Sequence, residues 1–172
     1  MASKTAHTGE KWQDQWDRLR RWHQRLQPIR AKLPANNPEK ALALDDVFAF
    51  FMNCYHLQDW VKKDGYKTEQ QVNDFIFGVG GAGGSDALRL CRDVCNGLKH
   101  YELQTWPHPP ANPNWSTATI YPPTIVTSGR GASRIVGTPP PRWVFTNTVR
   151  GDWDMFDLAD ECVNEWRKFL GI

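Results

Sequence analysis

Four stretches of this chain repeat apolar residues every three or four positions, a spacing that commits each to a helix burying one face. Trp12, Trp16, Leu19, Trp22 and Leu26 form the first stripe, which Ile29 extends past Pro28. Val47, Phe50, Cys54, Leu57 and Val61 form the second, and Leu88, Cys91, Val94, Cys95 and Leu98 the third. Phe156, Ala159, Val163, Trp166 and Leu170, joined by Cys162, form the last. The spacing predicts helices over 9–27, from 38 or 42 to 63, over 86–103 and over 154–170. Thr8 is the expected cap of the first, and Pro28 its end or kink. A shorter helix over 67–77 carries Val72, Phe75, Ile76 and Phe77. A chain of 172 residues can bury one sizeable core. The expected fold is mainly α, a four-helix-type bundle in a single domain over 1–172.

The connections differ in character. The run G-V-G-G-A-G-G-S after Phe77 invites a phosphate-loop reading, but it lacks the G-K-[ST] ending and no strand precedes it. A flexible linker is the favoured reading, with Ser85 or Asp86 capping the next helix. Four prolines between Trp106 and Trp115 rule out regular helix there. Beyond them, T-A-T-I-Y, T-I-V-T, S-R-I-V-G and R-W-V-F-T-N-T-V are β-branched and aromatic segments separated by turn residues. Residues 104–150 therefore read as a Pro-rich insertion forming a small antiparallel sheet before the last helix. Its arginines Arg130, Arg134, Arg142 and Arg150 read as edge and turn charges, with contact to a partner as the alternative.

The first residues carry charge without a following apolar core, so they do not read as a secretory signal. No run reaches the length that spans a bilayer, so no membrane partner and a cytoplasmic location are expected. The net charge of +2 is too small to imply nucleic acid. The first helix, however, carries Arg18, Arg20, Arg21 and Arg25, either a solvated face or an attractor for a polyanion. All four cysteines (Cys54, Cys91, Cys95 and Cys162) fall at apolar helix positions and read as small buried hydrophobes. Cys91 and Cys95 stand one turn apart with histidines downstream, but no C-x-x-C pair occurs, so neither metal nor cofactor is expected.

Candidate chemistry concentrates on the 86–103 helix. At about 100° per residue, Arg89, Arg92, Asp93, Asn96, Lys99 and His100 fall away from its apolar face. Three cations, a carboxylate, an amide and an imidazole on one stripe suit phosphate recognition and acid–base work better than an ordinary solvated helix face, which is the alternative. Gly97 marks a place where something approaches closely. A second group, Asn53, His56 and Asp59, shares one side of the preceding helix, with His56 and Asp59 three residues apart. Because Arg92 and His100 both sit on a polar side, their loss is expected to leave the fold intact.

The segments F-F-M-N-C-Y-H-L-Q-D-W-V-K-K-D, C-R-D-V-C-N-G-L-K-H-Y-E-L and D-M-F-D-L-A-D-E-C-V-N-E-W-R-K-F-L resemble signature segments of a family of small bacterial proteins without an assigned activity. The arrangement also resembles the HEPN superfamily of helical bundles. That superfamily includes metal-independent ribonucleases, many of them in toxin-antitoxin and phage-defence systems. There an arginine, commonly followed by a polar residue, and a histidine with four to six residues between them mark the active site. Arg92, Asp93 and His100 are similar to this motif, although seven residues separate Arg92 from His100. The resemblance implies a metal-independent endoribonuclease. His100 would be its acid or base and Arg92 its charge stabiliser, assisted by Lys99 and Asn96. The alternative is a non-catalytic module binding a nucleotide, RNA or protein. It further implies a homodimer in which Arg92 and His100 come from different chains, and an antitoxin protein as a possible partner.

Overall fold

The computed structural model describes residues 11–33, 37–80, 83–99, 143–145 and 153–172. Five helices follow in order: α1 (Trp12–Ala31), α2 (Asn37–Lys63), α3 (Glu69–Phe77), α4 (Asp86–Lys99) and α5 (Met155–Leu170). The strands β1 (Val144–Phe145) and β2 (Trp153–Asp154) pair antiparallel before α5, Val144 opposite Asp154 and Phe145 opposite Trp153. The protein is mainly α, a helical bundle with a small antiparallel sheet ahead of its last helix. The expected strands between residues 104 and 142 lie outside the described residues. No described helix is long and apolar enough to cross a membrane.

The ends of the helices follow local chemistry, and α1 departs from expectation at both. It begins at Trp12 rather than near Gly9, with the Lys11 N–H donating to Asp14 Oδ2 at 2.7 Å; Thr8 lies outside the described residues. It also runs through Pro28 to Ala31 instead of ending there. The apolar stripe explains this, because Leu26 and half-buried Ile29 and Leu33 still pack on the core. That burial outweighs the one backbone hydrogen bond a proline forfeits. Thr68 and Gln71 cap α3 reciprocally, each side chain accepting from the other's N–H. Asp154 Oδ1 accepts from the Phe156 and Asp157 N–H groups at the start of α5.

The core is continuous. Along α2, Val47, Phe50, Phe51, Cys54, Leu57 and Val61 are fully buried against α1, α4 and α5. Tryptophans close the interfaces: Trp143 stacks near Phe156, and Trp166 meets Phe75 edge-on. Polar ties fix the register between helices. Buried Gln15 of α1 donates to the Asn53 carbonyl of α2 at 3.1 Å, and Tyr66 donates to the Leu170 carbonyl at 2.9 Å.

The glycine-rich connection is anchored at its described ends rather than free. The Ser85 N–H donates to the Phe75 carbonyl at 3.1 Å, and Ser85 Oγ caps α4 by accepting from Leu88. Gly84 has φ +80°, and a Cβ there would meet Gly78 N at 2.5 Å and Ile76 O at 2.8 Å. Gly65 also has positive φ but open space around it. Gly84→Ala should therefore destabilise by about 2–4 kcal/mol, combining left-handed strain with overlap against backbone. Gly65→Ala should cost only about 1 kcal/mol. Urea denaturation midpoints of the two variants check this; equal losses would contradict the close packing at Gly84.

Candidate functional site

The polar stripe of α4 is narrower than its helical wheel suggests. α2, α3 and α5 all pack on this helix, and they leave Arg89, Arg92 and Asn96 only half-buried while Asp93 is 5% exposed. A carboxylate at that depth requires a partner, and Arg92 supplies it. Arg92 donates from Nε and Nη2 to Asp93 Oδ1 at 3.1 and 2.9 Å. Its guanidinium also lies over the Phe77 ring, 5.1 Å from the centroid. Arg89 donates to the Gly83 carbonyl at 2.6 Å and pairs with Asp86. Arg89 thus ties α4 to the α3–α4 connection, and Arg92 ties it to the end of α3. Lys99 closes α4, but its side chain and all of His100 lie outside the described residues, as does the side chain of Leu98.

On α2 the second group does not act as a unit. Asn53 donates to the Ala49 carbonyl at 2.7 Å and accepts from Gln15, so it belongs to the α1 interface. Asp59 pairs with Lys62 at 3.4 Å rather than with His56. His56 is half-buried beside Tyr55, their ring centroids 6.3 Å apart. Burial raises the pKa of Tyr55, opposed by a hydrogen bond with Gln58 and by the nearby charge of Arg92. Asp59 also borders a surface recess of about 450 Å³ with Lys62, Lys63, Lys67 and Thr68.

The structure assembles a different group between α1 and α5. His23 Nε2 lies 2.6 Å from Asp160 Oδ1, and Arg30 donates to Asp160 Oδ2 at 2.7 Å and to Asp157. Burial works against the Arg30 charge, but the two carboxylates outweigh it and hold its pKa above the usual value. This network fixes the imidazole at the edge of a cleft of about 320 Å³. Arg20, Gln24, Asn164 and Arg167 also line that cleft. Gln24 borders in addition a neighbouring recess of about 500 Å³ with Arg21, Trp22 and Arg25. Arg25 lies over the Trp22 ring, 4.5 Å from its centroid. The two hollows meet at Gln24, and arginines line both, with the His–Asp pair in the first.

The sequence hid this group because His23 and Asp160 stand 137 positions apart and no motif links them. The one available signal was the arginine run of α1, read as solvated or polyanion-attracting. Searches against protein-family models, curated proteins and solved structures gave no match.

The Arg92–Asp93 pair revises one expectation. Removing Arg92 strands a buried carboxylate, so Arg92→Ala should destabilise the fold by roughly 2–3 kcal/mol, below the full cost of a deeply buried pair because Arg92 is partly solvated. Adding Asp93→Asn should recover part of that loss, a coupling that a double-mutant cycle measures. Simple additivity would show that the pair contributes nothing.

Proposed function

We propose that the protein is a HEPN-like helical module that binds RNA through the arginine-lined face between α1 and α5. The observation that carries this reading is the cleft in which Arg20 and Arg167 flank His23, itself held by Asp160. Guanidinium groups match phosphate geometry. An aromatic ring beside a cation, as at Trp22 and Arg25, offers a stacking surface for an unpaired base. The adjoining recess extends the cationic surface along α1, as a polyanion spanning several phosphates requires.

The His–Asp geometry favours a second reading, metal-independent cleavage of the bound RNA. A histidine held by a carboxylate can accept the 2′-hydroxyl proton as that oxygen attacks the neighbouring phosphorus. The 5′-oxygen leaves with a proton taken from water, giving a cyclic 2′,3′-phosphate, and arginines stabilise the phosphorane charge. The α4 group of Arg92, Asn96, Lys99 and His100, which the HEPN resemblance implies, is the competing centre for this chemistry. The homodimer rests on that resemblance and on Gly97, and the antitoxin partner on the resemblance alone. Light scattering at twice the 19.8 kDa chain mass would support the dimer.

Fluorescence anisotropy with a single-stranded oligoribonucleotide tests the binding face. Affinity should fall with salt, and Arg20→Ala with Arg167→Ala should weaken it and flatten the salt slope by about 1.4, roughly 0.7 for each contact with a single strand. Unchanged affinity in that double variant would refute the assignment. His23→Ala should abolish cleavage if the cleft is the catalytic centre, with binding retained. His100→Ala should do so if α4 is.

A further inference from the structure

Cysteines from three helices meet in the middle of the core. The sulfurs of Cys54 (α2), Cys91 (α4) and Cys162 (α5) all lie within 4.8 Å of one another, and each residue is 0% exposed. Taken singly, each is explained as a small hydrophobe with a weak donor. Cys91 and Cys95 donate to the Phe51 carbonyl at 3.3 and 3.2 Å, and Cys162 to the Ala87 carbonyl at 3.4 Å. Ordinary packing does not explain why three sulfurs converge from three helices.

A second observation points the same way. Trp166 is 1% exposed, and its Nε1 has no hydrogen-bond partner among the described residues. An N–H left unpaired in a dry core is costly. This indole stands one helical turn beyond Cys162 on the same side of α5. A thiol sulfur is a weak acceptor, whereas a cation-bound thiolate is a good one, so a loaded cluster would satisfy the donor.

We infer that Cys54, Cys91 and Cys162 form a buried thiolate site for one thiophilic d10 cation, copper(I) or zinc(II). Soft sulfur sets select these ions. Metal–sulfur bonds of about 2.3 Å place three sulfurs around one ion roughly 4.0 Å apart, within the span observed. Each thiol that binds releases its proton to solvent, and no electron moves. Three sulfurs suffice for copper(I). Zinc(II) takes four ligands, and Cys95, one turn beyond Cys91, is the sulfur available to complete that set. The lack of a C-x-x-C pair has no bearing here, because the donors come from separate helices.

The test titrates the reduced, full-length protein anaerobically with copper(I) or zinc(II) against a chromophoric chelator. One equivalent per chain should bind, with thiolate-to-copper charge-transfer absorption. Cys54→Ala should lower copper(I) affinity by about 100-fold or more, while Cys95→Ala should leave it unchanged and weaken zinc(II) alone. Circular dichroism checks that each variant is folded. X-ray absorption on the copper-loaded wild-type protein needs no variant, and a shell of three sulfurs is expected. No uptake, uptake that survives Cys54→Ala, or a first shell of nitrogen and oxygen would each overturn the site.

Discussion

Everything in this molecule is arranged around the burial of α2. Its apolar residues Val47, Phe50, Phe51, Cys54, Leu57 and Val61 are removed completely from water, which takes three partners, α1, α4 and α5. Burying a side chain of this size contributes about 1.5–3 kcal/mol, so this helix and α5, which buries Met155, Phe156, Leu158, Val163, Trp166 and Leu170, supply much of the apolar contribution to the core. The other elements are placed by their contact with α2. The α1–α5 cleft is a consequence, since both helices border α2 and meet each other beside it.

Polar groups then decide which faces can do chemistry. Arg92 neutralises buried Asp93, and Arg89 holds Gly83. Their guanidinium groups are thereby committed to the chain itself. Arg20 and Arg167 remain exposed on helix surfaces, with Arg20 held only loosely by Asp17 at 3.6 Å. A weak surface pair is easily exchanged for a ligand. Charge alone does not distinguish these arginines; what each one already holds does.

The helices and their faces were legible because 3.6-residue periodicity survives in single sequence. The stripes of α2 and α5 match the buried residues closely. The path through Pro28 was not legible, because a proline's local penalty is visible in sequence whereas the burial of Ile29 and Leu33 that offsets it is not. Asp93 was misplaced for a related reason. A helical wheel gives angular position but not the width of the covering neighbours, and here α4 is covered on most of its circumference. The His23–Asp160 pair and the sulfur cluster depend on helices distant in sequence, so spacing rules do not reach them.

The passage of α1 through Pro28 has a consequence at the cleft. Proline has no N–H, so the carbonyl of Gln24, one turn earlier, loses its helical partner. Gln24 borders both hollows of the arginine face. The guanidinium groups of that face offer donors only, and its side-chain acceptors come from Gln24, Asn164 and Asp160. The carbonyl of Gln24, without its proline-position donor, adds a backbone acceptor to that turn of α1.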